Sequence, residues 1–243
     1  MMGLRRFLVT TSMTLLTFWM SLFCAWQLLS SINFAYPVLY DMIGIDETIA
    51  VYGPQNRFKK GIVLTTRDER IRLFSAIVDA INDDGKGLRE IRYHEHNGRP
   101  IDVLLREPEV VHLQDVAKLL SALRNFSFIV LFATAILAGV LYWQRIRLPR
   151  VLYAFLTVGL LTIAGALVSV AHGAKELFYK WHVLVFPDGH QWFFYYQDSL
   201  MSTMMKAPVI FGYIAVLIMV LALVVFSLLW WLLEHFLATR EQG

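Results

Sequence analysis

Four residues raise the question of chemistry. Glu109, His112 and Asp115 are spaced three apart, which on a helix places them near one face. A carboxylate one turn from an imidazole can fix its tautomer and raise its basicity, as a general base requires. The same spacing also describes a surface ion pair, and spacing alone does not separate the two. His182 is the fourth residue. It sits between Trp181 and the apolar run 183–186, in a stretch from Leu177 to Tyr196 crowded with aromatic rings. An aromatic belt at a membrane surface accounts for many rings, but not for His182, His190 and Asp198 interleaved among them. The other histidines carry less. His94 and His96 have a His-x-His metal-ligand spacing, yet no third ligand stands at a recognisable distance, and a solvated turn explains the pair; no metal is expected. His172 and His235 sit at the ends of apolar stretches. No Gly-x-Ser-x-Gly motif occurs, and the single cysteine, Cys24, lies within an apolar stretch. Neither therefore points to a serine- or cysteine-bound acyl intermediate.

The elements that must hold these residues follow from composition. Of 243 residues, 57% are apolar and only 17% charged, against roughly 25% charged in a soluble domain. This excludes disorder and most soluble classes, and a net charge of +3 is small for a nucleic-acid binder. A spanning helix needs about 20 apolar residues, and four stretches qualify: 7–29, 126–143, 151–171 and 209–233. The first is longer than the apolar core of a signal peptide, about 7–15 residues, and is expected to be a retained anchor. Gly159, Gly165 and Ala166 are available for close helix contact in the third. Arg5 and Arg6, then Arg145, Arg147 and Arg150, then Arg240 fall on one side of a four-span layout, which places both termini in the cytoplasm. The span interiors hold no charged residue, which argues against an ion path.

The organisation expected is residues 1–29 as helix one, 30–125 as an extracytoplasmic subdomain, and 126–171 as helices two and three with a loop at 144–150. Residues 172–207 follow as an extracytoplasmic aromatic segment, and 208–243 as helix four. Within the subdomain, Thr66 followed by Glu69 is a capping box opening an amphipathic helix over about 67–82, which Gly85 and Gly87 stop. Asn97-Gly98 between two alternating runs predicts a two-residue hairpin packed on that helix. Pro108-Glu109 then opens a second helix that carries His112 and continues toward span two. The fold class is thus membrane α-helical, four transmembrane helices with an α+β subdomain (helix, β-hairpin, helix) between spans one and two.

Two runs carry a family resemblance. Glu109-Val110-Val111-His112-Leu113-Gln114-Asp115-Val116 is similar to the Glu-x-x-His-x-x-Asp-Val of the bacterial lipoprotein intramolecular transacylases, the Lit family. Trp181-His182, the apolar run 183–186, Trp192-Phe193-Phe194 and Asp198 resemble the family's distal run. The chain departs from the family in placing Asp198 before Ser199-Leu200-Met201 rather than in a Pro-rich context. The resemblance implies an acyltransferase of the bacterial inner membrane. It would move the sn-2 acyl chain of an S-diacylglyceryl N-terminal cysteine to that cysteine's α-amino group, leaving a lyso-form lipoprotein. It implies His112 and His182 as catalytic. Beside the resemblance, the spacing on the helix makes Asp115 and Glu109 the expected orienting or electrostatic support, and Trp181, Trp192, Asp198 and Arg57 are candidates for a substrate pocket. No cofactor is called for, because donor and acceptor share one substrate; the partners are diacylglyceryl-modified lipoproteins and membrane phospholipid. Read from the residues alone, a second class stays open: a non-enzymatic membrane assembly or binding protein using 30–125 as its interaction module.

Overall fold

The structure, a computed structural model, describes residues 2–238; Arg240 lies outside the described residues. In chain order the elements are α1 (Met2–Ser31), α2 (Tyr36–Met42), α3 (Ile45–Tyr52), α4 (Arg67–Asn82), β1 (Arg92–His94), β2 (Pro100–Val103), α5 (Glu107–Gln144), α6 (Val151–Ala171), α7 (Ala174–Val185), α8 (Leu200–Met205) and α9 (Val209–Ala238). Helices α1, α5, α6 and α9 are long and apolar enough to cross a membrane. Helix α5 has 38 residues, about 57 Å at 1.5 Å per residue, nearly twice the hydrocarbon thickness. Its charged first turns therefore lie outside the apolar stretch 126–143. Contacts divide the chain into two compact units, one of Met1–Leu28, Leu123–Phe178 and Leu217–Gly243, the other of Leu29–Ala122 and Tyr179–Val216.

The first unit holds the apolar stretches. Met13, Leu141, Phe226 and Trp230 are fully buried at its centre, while Phe132, Ile136 and Val170 are exposed, as side chains facing lipid are. Its helices satisfy their own backbones, and side-chain bonds join one helix or loop to the next. Trp19 Nε1 donates to Ser127 Oγ at 3.0 Å, and Trp230 Nε1 donates to the Pro149 carbonyl at 3.0 Å. The Val151 N–H, at the start of α6, donates to the Glu234 carboxylate at 3.0 Å, filling one of the donors a helix start leaves open. The close helix contact expected at Gly159 and Gly165 is not made within the described residues. A Cβ placed at either meets nothing within 4 Å, because this stretch of α6 turns its small residues outward.

The second unit is built from short, irregular pieces that must be cross-linked. Asn33, Phe34 and Ala35 are all left-handed (φ 53°, 52° and 55°), an arrangement costly to non-glycine residues that turns the chain from α1 into α2 and buries Phe34. Tyr36 stacks on Phe74 of α4 with ring centroids 3.9 Å apart, and its hydroxyl donates to the Met204 carbonyl of α8 at 2.8 Å. Arg70 of α4 is buried. It donates to Thr65 Oγ1 at 2.8 Å and to the Tyr40 hydroxyl at 2.7 Å, and pairs with Asp46 of α3. The helix expected over 67–82 is α4, with the Glu69 N–H donating to the Thr66 side chain at 3.1 Å and Gly85 closing its end at φ 81°.

The hairpin packs on α4 through Glu69, which accepts the His94 N–H at 2.9 Å. Its turn differs from the two-residue form expected. The Glu95 N–H donates to the Arg99 carbonyl at 2.9 Å and the Gly98 N–H to the Glu95 carbonyl at 2.9 Å, so three residues form the loop. A two-residue type I′ turn needs positive φ at both Asn97 and Gly98, and only Gly98 has it, at 83°.

Candidate active site

The site grows from the start of α5. The backbone N–H of Arg106, just before the helix, donates to Glu109 Oε2 at 2.6 Å, the return half of a capping box. The other oxygen of Glu109 accepts the hydroxyl of Ser199. Ser199 is the N-cap of α8, where its Oγ also accepts the Ser202 N–H at 2.8 Å. Glu109 and Ser199 are fully buried. Burial pushes the Glu109 carboxyl up, partly opposed by the Ser199 bond and the Arg106 N–H. Glu109 thus fastens α5 to α8.

His112, one turn on, is partly buried. Its ring meets Phe186 edge-on at 4.9 Å and lies 6.1 Å from Phe194. Burial, reinforced by the neighbouring His182 and opposed by Asp115, holds its pKa down to about 4. His112 is therefore neutral at physiological pH, the form a base must have. His182, on α7, is buried at 7% exposure among Trp181 at 4.9 Å, Trp192 at 4.8 Å and Phe186 at 5.3 Å. The two imidazoles thus share one wall, the Phe186 ring.

Asp115 and Glu109, expected as orienting or electrostatic support, do not hydrogen-bond His112. The i, i+3 spacing sets neighbouring Cβ positions, but each carboxylate turns elsewhere. Asp115 is buried, with Oδ2 2.5 Å from His190 Nδ1 and Oδ1 3.3 Å from Lys118 Nζ. Burial alone would raise its carboxyl; the His190 and Lys118 bonds outweigh that and leave it lowered. What Asp115 supplies to His112 is field, not contact.

Of the four pocket candidates, Trp181 and Trp192 flank His182. Arg57 and Asp198 instead make a bidentate pair with each other, both bonds 2.6 Å, and the Arg57 N–H donates to the Gln197 carbonyl at 2.8 Å. The sequence shows His190 among the aromatic rings without assigning it a partner, and Ser199 was not singled out. The turn Pro187-Asp188-Gly189-His190 was a visible signal for the first, and Ser199 three residues before Ser202 for the second. His94 Nδ1 lies 2.9 Å from Glu69 Oε1.

The family model of the lipoprotein intramolecular transacylase Lit matches residues 7–207. The chain belongs to the Lit family. Solved structures of the membrane integral lipoprotein intramolecular transacylase Lit from Bacillus cereus share its fold. One is 15% identical, with a TM-score of 0.69 over 99% of this chain and 100% of that one. Two carry a single histidine substitution. The arginine variant is 15% identical, with a TM-score of 0.67 over 99% of this chain and 95% of that one. The alanine variant is 14% identical, with a TM-score of 0.67 over 100% and 98%. At such identity the likeness establishes the fold, while membership rests on the family model. No curated protein sequence matches the chain. As a Lit family member it is a multi-pass bacterial membrane protein and an acyltransferase.

Proposed function

We propose that the chain catalyses intramolecular acyl transfer on bacterial lipoproteins, with His112 and His182 as the reacting pair. The acyl chain leaves the sn-2 oxygen of the S-diacylglyceryl cysteine and joins that cysteine's α-amino nitrogen. Family membership carries the reaction class, and the Phe186 wall shared by the partly buried His112 and the buried His182 carries the residue assignment. Attack by the amine forms the N–C bond and leaves the carbonyl oxygen negative and the nitrogen positive. His112, held neutral, takes the nitrogen's proton. An N–H of His182 stabilises the oxyanion. Collapse breaks the ester C–O bond, and the leaving alkoxide takes the proton back from imidazolium. Holding amine and ester in one molecule removes the entropy cost of bringing two substrates together, so the chain's own residues need only bind, orient and move a proton.

Residues 30–125 are read as an extracytoplasmic subdomain and 172–207 as its aromatic companion, with both termini cytoplasmic and the site at the outer leaflet, where a lipidated N-terminus is anchored. The arginines of the loop between α5 and α6 support this orientation. The experiment is His112→Ala and His182→Ala, read by mass spectrometry of lipoprotein N-termini. Both are expected to abolish the lyso-form product; a variant that keeps the wild-type rate overturns the assignment of that histidine.

A further inference from the structure

Segment 186–194 reaches both imidazoles. Phe186 touches His112 and His182, Trp192 lies 4.8 Å from His182, and Phe194 lies 6.1 Å from His112. Between Phe186 and Trp192 the chain makes the turn Pro187-Asp188-Gly189-His190, closed by the His190 N–H donating to the Pro187 carbonyl at 3.2 Å. From that turn His190 reaches back to α5, its Nδ1 2.5 Å from Oδ2 of Asp115, one helical turn from His112. A carboxylate only accepts, so Nδ1 carries the proton and donates. Beside this segment His182 is 7% exposed and His112 is partly buried, whereas the His190 side chain is 41% exposed and is not itself enclosed with them.

We propose that the Asp115–His190 bond is a latch that holds segment 186–194 over the two imidazoles and so decides that the acyl group goes to the amine rather than to water. His190 is a positioning residue; it does not touch the reacting atoms. The inference rests on the reading of His112 and His182 as the reacting pair. A base that takes the proton of an amine attacking an ester carbonyl can also take one from water attacking the same carbon. In transfer, the N–C bond forms, the ester C–O bond breaks, and the proton leaves nitrogen and ends on the sn-2 hydroxyl. In hydrolysis, the oxygen of water forms the new bond to the same carbonyl carbon. The same ester bond breaks, one proton ends on the sn-2 hydroxyl, and a free fatty acid is released. Both leave the same lyso-glyceryl group, and only the acyl acceptor differs. Excluding water is one way a closed site suppresses such a side reaction.

The test uses the full-length protein in phospholipid vesicles with a synthetic S-dipalmitoylglyceryl-cysteinyl peptide, and measures free palmitate against N-palmitoyl product. His190→Ala is expected to raise that ratio about fivefold or more. His190→Asn, whose amide NH₂ stands where Nδ1 does, is expected to stay within about twofold of wild type by keeping a donor to Asp115. Asp115→Asn removes the charge that the latch binds, and is expected to raise the ratio too, which keeps the test open should His190→Ala fold poorly. A ratio unchanged in His190→Ala whatever its total rate, an equal rise in His190→Asn, or loss of both products in His190→Ala and Asp115→Asn alike overturns the latch. The failure of the underlying reading looks different: there, His112→Ala or His182→Ala would still make transfer product.

Discussion

In the unit of long helices, side-chain bonds join one helix or loop to the next in pairs, such as Trp19 with Ser127, Arg5 with Gln144, Trp230 with the Pro149 carbonyl and Glu234 with the Val151 N–H. In the unit that carries the histidines they interlock. Arg70 joins Thr65, Tyr40 and Asp46, and Glu109 joins the Arg106 N–H to Ser199. Long helices satisfy their backbones internally and ask side chains only to match lipid. Short helices, left-handed turns and a two-stranded hairpin leave backbone and side-chain groups to be satisfied from elsewhere in the chain. The site sits among the interlocked contacts because holding two imidazoles against one ring takes cross-links between distant segments, and a lipid-facing stripe offers none.

Substitutions in the two units should therefore differ in kind. The largest effect belongs to the imidazoles: His112→Ala and His182→Ala should each cost about 10²–10⁴-fold in transfer rate, the usual span for losing an acid–base group, with little change in the thermal midpoint. An unfolding of similar size would mean the rings are structural. Next, Arg70→Met should destabilise the protein by about 2–3 kcal/mol, because two buried partners, the Thr65 and Tyr40 hydroxyls, lose their donor. Thr162→Val in α6, which loses only a 3.8 Å contact to the Met219 sulfur, should stay within about 0.5 kcal/mol; denaturant melts of both variants in one detergent compare them directly.

A smaller, pH-dependent effect follows from His112. Its folded pKa near 4 lies below the ordinary value near 6.5. Between those values the unfolded chain holds a proton that the folded chain does not, so stability rises with pH across that window and is lost as pH falls through it. Thermal midpoints at pH 7 and 4.5 should therefore lie closer together in His112→Ala than in wild type. The smallest effect is expected at Gly159→Ala. The added Cβ meets nothing, and exchanging glycine for alanine in a helix should be neutral or stabilise by up to about 1 kcal/mol. A clear destabilisation would show that α6 packs against another molecule there.

The long helices were legible because length and hydropathy are local properties. Residues 151–171 of the sequence are α6 residue for residue. Helix α4 was equally legible, its cap and its apolar face being written within a few turns. The hairpin was placed correctly but its turn was not, because Asn97 declined the positive φ that a type I′ turn asks of it. At the site, His112 and His182 were put forward from the sequence, His112 by spacing and both by family resemblance, whereas His190 carried no assigned partner and Ser199 was passed over. Their significance lies in partners 75 and 90 residues away, which no window along the chain contains.

The sequence by itself determined the solvent and the four apolar helices and put two histidines forward as candidates, since each is a matter of residue type and short-range spacing. Only the tertiary structure decided what the carboxylates of α5 bind, that His112 is held neutral, and that one phenylalanine ring serves both imidazoles. The physical reason is that helical spacing fixes where a Cβ starts. Burial and hydrogen-bond partners, which come from distant parts of the chain, fix where a carboxylate ends and whether an imidazole keeps its proton.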